Sequence, residues 1–212
     1  MVDHLKKIEI DSSKSWLRFL EGDRDALGSL FRLYFSELLA YGRKFIPSDD
    51  LVKDHIQNLF VRLWEKRSQL RPVGNVKVYL LISLKHDLLQ SLKAEKPRKE
   101  LDERMDAGWF EISVEDFMVE KEQEAELAQK VASCLAQLTA RQREVIYLRF
   151  YHNFDFPNIA EIMDMNIQSV RNLLFRTLEK IRKEVGGSDM QQSGNIELIL
   201  LSLFGYSSFP TC

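Results

Sequence analysis

Gln168, Ser169, Arg171, Asn172 and Arg176 fall within "NIQSVRNLLFRTLEKIRK", and at helical spacing they share one side. Amide and guanidinium groups so placed can read base edges in a major groove, where Asn or Gln pairs with adenine and Arg with guanine through two bonds each. Lys180, Arg182 and Lys183 extend that side with positive charge suited to phosphate. Val170, Leu173, Leu174, Leu178 and Ile181 occupy the other side and must face a core. Bond-making chemistry is not foreshadowed: the chain shows no paired carboxylates with a plausible pocket, no Gly-rich phosphate loop and no nucleophile beside a base, so no enzyme is expected. His4, His55, His86 and His152, with Cys134 and Cys212, lack ligand spacing, so neither a metal nor another cofactor is expected. Cys134, inside "VASCLAQL", reads as a buried small apolar side chain.

A reading helix needs a partner that fixes its angle. "IAEIMDMNIQSVRNLLFR" supplies one as a helix-turn-helix, with Ala160 as the small contact residue and Ile159, Met163 and Met165 facing inward. Asp164 takes the turn position often filled by Gly, which Asp tolerates because its short polar side chain accepts the left-handed backbone. Asn166 is placed to cap the second helix, and Pro157 lies in the first turn of the first, where a missing N–H costs little. The competing interpretation of this hairpin is a solvated helix face that binds nothing.

The 212 residues are 45% apolar and 29% charged, a soluble globular composition, and only nine Gly and five Pro interrupt apolar residues spaced three and four apart. An all-α chain of two small helical domains is expected. Residues 1–95 divide into four helices: a short one over "SWLRFLE", a second from Arg24 to Phe45 capped by Asp23, a third capped by Ser48, and a fourth from Val76 to Ala94 after the break "RPVGN". Residues 96–116, rich in mixed charge with Pro97 and Gly108, read as a linker anchored by Trp109 and Phe110. Residues 117–185 form the second domain, with Thr139 capping "ARQREVIYLRF", and residues 186–212 are an apolar extension.

The net charge of −2 conceals a pattern. Residues 1–95 carry 16 basic and 13 acidic side chains, residues 96–126 carry 5 and 11, residues 127–185 carry 9 and 6, and the remainder carries two acids. Two mildly basic blocks flank an acidic connector, and local charge is what attracts phosphate. No signal-peptide pattern or membrane-length apolar run is read, so a cytoplasmic protein is expected.

Taken with the hairpin, the first block resembles the ECF-type sigma factors, the compact two-domain branch of the sigma-70 class, over Asp25 to Val185. "LVKDHIQNLFVRLWEKR" is similar to the family's core-polymerase-binding helix, with Asp54, Gln57, Phe60, Leu63 and Trp64 at matching positions and Asn58 where an acidic residue is usual. "NVKVYLLISLKHDLLQSLK" resembles the helix that engages the −10 element, with Tyr79 in the common aromatic position and His86 where Asn is frequent. "LTARQREVIYLRFYHNFDFPNIAEIMDMNIQSVRNLLFRTLEKIRK" is similar to the −35-reading domain. The stretch "IQNLFVRLWE" resembles members from the Bacteroidetes.

The resemblance implies a protein that binds core RNA polymerase, directs it to promoter DNA and helps open the duplex around the −10 element. An anti-sigma factor is the implied controller, and the acidic linker is implied to thread through the polymerase. Arg71 and Asn75 in the loop, with Lys77, Lys85 and Lys93 on the following helix, are placed to hold a strand while the loop receives an unstacked base; with Lys77, Lys85 and His86 they make up the expected −10 set. The small basic excess of each domain predicts weak promoter binding by the free protein. A helix-turn-helix regulator that does not deliver polymerase is the alternative. Three readings of "NIELILLSLF" stay open: a helix completing the protein's own core, a docking or self-inhibitory element, or a peripheral membrane contact.

Overall fold

The computed structural model describes residues 2–95, 109–113, 116–117, 122–185 and 196–204, and the chain divides into two compact units, Met1–Arg98 and Lys99–Cys212. Every regular element among the described residues is helical, as the sequence pattern predicts.

The first unit holds α1 (Val2–Leu20), α2 (Arg24–Gly42), α3 (Asp49–Lys66, followed by a 3-10 turn at Arg67–Gln69) and α4 (Val76–Glu95). Helix α1 is longer than the expected "SWLRFLE" segment, because the residues before it contain neither Gly nor Pro to stop a helix and Ser12 is already buried. Gly22 ends it in the left-handed region at φ +97, with the Gly22 and Asp23 N–H groups bonded back to Phe19 O at 2.9 Å and Arg18 O at 3.0 Å. Asp23 then caps α2, its Oδ1 accepting from Asp25 N at 2.9 Å and Ala26 N at 3.0 Å. The Ala26 N–H bond, helped by Arg18, holds the Asp23 carboxyl below the usual carboxylate range.

Helix α2 touches α1, α3 and α4, and its stripe of Leu30, Tyr34, Leu38 and Tyr41 lies at the centre of the unit. It stops at Gly42, three residues before the predicted end, since the chain tightens there into bonds from Lys44 N to Tyr41 O and Phe45 N to Gly42 O ahead of Pro47. Gly42 also sets how closely α3 can approach: a Cβ at this position would overlap Val52 Cγ1.

The second unit holds α5 (Glu122–Ala136), α6 (Ala140–Ile146, running into a π turn at Tyr147–Tyr151), α7 (Phe156–Met163), α8 (Ile167–Val185) and α9 (Ile196–Leu203). Helix α8 is contacted by α5, α6, α7 and α9. Thr139 and Gln142 form a reciprocal capping box at the start of α6. One turn on, the Arg143 guanidinium donates to Phe110 O at 2.5 Å, Leu138 O at 2.5 Å and Ala136 O at 3.3 Å, tying the end of α5 to the segment that precedes it. Burial lowers the Arg143 pKa from its ordinary value, and Glu111 opposes that shift.

Residues 109–113 therefore rest on this unit. Phe110 and Ile112, within the stretch read as linker, are buried, as is Phe117 just beyond it. The described part of the apolar extension, residues 196–204, is likewise packed in a core. Ile196, Ile199, Leu200, Leu203 and Phe204 are buried, and Phe204 meets Phe117 at 5.0 Å and the Tyr147 and Tyr151 rings edge-on. Cys134 is buried, as expected.

Two stability measurements follow from this packing. Gly42→Ala should lower unfolding free energy by about 1–3 kcal/mol through overpacking, and adding Val52→Ala should cost less than it does alone, because it removes the overlapped methyl. Simple additivity in a denaturant-melt cycle would contradict the close approach. Leu200→Ala should cost about 2–5 kcal/mol in the same melts if α9 is core, whereas a loosely attached tail would give a change near zero.

Candidate nucleic-acid interface

The turn between α7 and α8 is built by three side chains. Asp155 opens α7 by accepting Asn158 N at 3.0 Å, with Pro157 in the first turn. Asp164 closes it in the left-handed region at φ 51, ψ 53, and Asn166 opens α8 by accepting Ser169 N at 2.7 Å. Asp164, Asn166 and Pro157 take the places read from the sequence. Asp155 was not singled out, though an Asp directly before a Phe-Pro helix start is a recognisable cap signal.

Helix α8 divides cleanly into two sides. Val170, Leu174, Leu178 and Ile181 are buried, while Gln168, Arg171, Asn172, Arg176, Arg182 and Lys183 are exposed and Ser169 is half-buried in the first turn. Gln168 Nε2 donates to Asn172 Oδ1 at 3.0 Å, which joins two amides side by side on the exposed side of the helix. Arg171 lies over the Phe156 ring at 5.3 Å, and Arg149 approaches the same ring at 5.6 Å, so two guanidinium groups gather where α7 begins. Lys180 is spent differently from the sequence reading: its Nζ bonds Gln137 O at 2.9 Å and closes the end of α5. Arg182 pairs with Glu179.

Phe175 was missed. It is 66% exposed, the most exposed large apolar side chain among the described residues, and at helical spacing it lies on the polar side beside Arg171 and Asn172. An aromatic at a solvent-facing helical position, surrounded by Arg and Asn, is the signal that was available. Apolar side chains there can meet the thymine methyl group.

In the first unit the −10 set scatters into different jobs. Arg71 is exposed in the loop and His86 is exposed on α4. Asn75 is a helix cap, its Oδ1 accepting Val78 N at 3.2 Å, and Lys77 is ion-paired to Glu37 across α2 and α4. Both side chains thus already serve the fold, one at the start of α4 and the other between α2 and α4. Lys85 is half-buried on α4. Between α3 and α4 lies a groove of about 450 Å³ lined by Leu59, Arg62, Leu70, Tyr79, Ile82 and His86, and bridged by the Arg62–Asp87 ion pair.

On α3, Asp54, Gln57 and Asn58 are exposed and Trp64 is half-buried beneath the Arg67 guanidinium, 4.3 Å from its ring. Phe60 and Leu63 are buried, 6% and 5% exposed, and Phe60 packs edge-on against Phe31 at 5.1 Å. Leu51 and Val61, at 49% and 55% exposure, are the exposed apolar side chains of the same helix. Their spacing to Asp54, Gln57 and Asn58 is helical and could have been read. A shallow cleft of about 350 Å³ beside this face is lined by Leu27, Phe31, Val61 and Trp64.

Residues 128–181 match the family model "Sigma-70, region 4". The chain is 26% identical to the ECF RNA polymerase sigma-E factor of Escherichia coli (strain K12), over 79% of this chain and 91% of that one. It is 18% identical to the ECF RNA polymerase sigma factor SigK of Mycobacterium sp. (strain KMS), over 79% and 87% of the two chains. Among solved structures, its fold is similar to CnrH in complex with the cytosolic domain of CnrY, with a TM-score of 0.57, 18% identity and coverage of 84% and 99%. It is also similar to the sigma factor RpoE of Bartonella quintana in complex with the anti-sigma factor NepR, with a TM-score of 0.53, 17% identity and coverage of 76% and 97%. The matched domain lies within the second unit, and the relatives to which the chain is similar are ECF RNA polymerase sigma factors.

Proposed function

We propose that the chain is a sigma factor that binds core RNA polymerase and directs it to promoters, with Met1–Arg98 engaging the polymerase and the −10 element and the helix-turn-helix unit reading the −35 element. The observation that carries this reading is helix α8, whose buried stripe holds it in the hairpin while its other side presents amides, guanidinium groups and Phe175 to a groove. Phosphate contacts alone would bind weakly, given the three-charge basic excess of each block. Fixing both units on one large enzyme raises their effective concentration on the same DNA, so two weak contacts act together.

The polymerase contact is assigned to the α3 face made by Leu51, Asp54, Gln57, Asn58, Val61 and Trp64. By kinship the regulator is an anti-sigma factor that occludes such surfaces, the workplace is the cytoplasm, and the chain catalyses no reaction of its own. Among the described residues no helix is long and apolar enough to cross a membrane. The "IQNLFVRLWE" stretch further supports kinship with members from the Bacteroidetes.

Size-exclusion chromatography with bacterial core polymerase, followed by run-off transcription on a promoter library, tests the function. Co-elution with promoter-selective transcripts is expected, and Asp54→Lys should reduce co-elution while its circular-dichroism melt stays unchanged. DNA binding without co-elution would instead identify a regulator that does not deliver polymerase.

Reading by α8 is tested with the holoenzyme on −35 duplexes. Arg171→Ala should cost about 1–3 kcal/mol on the preferred sequence and relax discrimination at one base pair. Replacing single thymines by deoxyuridine should weaken the wild type at one position and leave Phe175→Ala indifferent. Equal responses of the two proteins would remove Phe175 from the reading face.

A further inference from the structure

The loop at residues 70–75, between the 3-10 turn and α4, has little means of holding itself. Pro72 has no N–H to donate, Arg71 is kept extended because it precedes proline, and Gly74 has open space around its Cα. Its two ends are tied locally: Leu70 N bonds Arg67 O at 3.2 Å, and Asn75 caps α4. Its middle is tied from 55 residues away. The Trp16 indole Nε1–H, on α1, donates to Arg71 O at 3.1 Å.

Trp16 is itself rigidly held. It is 1% exposed, and its ring meets Phe19 and Tyr79 edge-on, each at 5.1 Å. One side chain therefore joins three things: the core of the first unit, the first turn of α4 at Tyr79, and the backbone of the residue whose exposed guanidinium leads the loop. A plain core residue would need no donor, and Phe or Leu would fill the space. A donor aimed at a loop carbonyl fixes where that loop stands.

We infer that Trp16 is the positioning residue of the promoter loop: it sets the place of Arg71, and through it the discrimination among −10 sequences, without touching DNA. This rests on the reading that residues 70–75 meet the −10 element.

The test is made with holoenzyme on two promoters that differ only in the −10 element, one matched and one substituted, following strand opening by 2-aminopurine fluorescence. The ratio of the two opening constants is independent of how much protein is folded or how much holoenzyme forms, so a merely structural role would not move it. Trp16→Phe keeps a ring and removes the donor; replacing Trp16 by benzothienylalanine keeps the bicyclic shape and exchanges N–H for sulfur. Each should lower the ratio about 3- to 10-fold, the size expected from one hydrogen bond. Phe19→Leu, which disturbs the same aromatic cluster but spares the bond, should lower the melting temperature and leave the ratio alone.

A ratio unchanged in both Trp16 variants, beside a lowered ratio in Arg71→Ala, overturns the role of Trp16 alone. Unchanged ratios in the Trp16 variants and in Arg71→Ala overturn the loop reading and the inference with it. A ratio that falls equally in Phe19→Leu also overturns it, because packing and not the donor would then set the loop.

Discussion

Helix ends govern this protein more than helix middles do. Each α-helix leaves its first four N–H groups without an internal partner, and a chain of short helices multiplies that cost at every turn. Asp23, Ser48, Asn75, Thr139, Asp155 and Asn166 answer it one helix after another, each accepting from the first turn of the helix it opens. Arg143 and Lys180 answer the opposite need, giving donors to the carbonyls at the end of α5. Because these ends are satisfied by side chains, short elements such as α7 keep fixed directions, and the angle at which α8 is presented becomes a property of the fold.

From that follows a division of labour on each helix. Apolar stripes such as Leu30, Tyr34 and Leu38 on α2, or Val170, Leu174 and Ile181 on α8, are consumed by packing. What remains outside is small and informative. On α3 it is a mixed face of Leu51, Val61 and Trp64 among Asp54, Gln57 and Asn58, suited to a protein surface with apolar and polar parts. On α8 it is amides, guanidinium groups and one aromatic ring, suited to the edges of bases. Two chemically different faces on two compact units suit the proposed job of joining an enzyme to DNA.

The helices, the turn at Asp164 and the two-sidedness of α8 were legible because period and capping chemistry are local. Phe60, Leu63, Asn75 and Lys77 show what local pattern leaves open, namely burial and partners. Phe60 and Leu63 share a helix with exposed residues, and which residue of an apolar stripe faces solvent depends on where α2 lies. Asn75 and Lys77 carry groups that would suit a strand backbone, and the same groups cap α4 and pair with Glu37 in the fold. Polar residues near a helix start are ambiguous in this way because caps and ligands make the same demand on them. Trp16 escaped for a related reason: its hydrogen bond spans 55 residues, a distance no spacing rule covers.

The position of α9 has a consequence for how the chain is made. Phe204, just past its end, meets the Tyr147 and Tyr151 rings, yet α9 and Phe204 lie downstream of α8 in the sequence. During synthesis α5 to α8 leave the ribosome before their last wall exists, while the first unit already has all four of its helices. The half of the protein suited to reading DNA is thus finished after the half suited to docking, and a chain released early would expose an aromatic cluster that aggregation and proteolysis readily find.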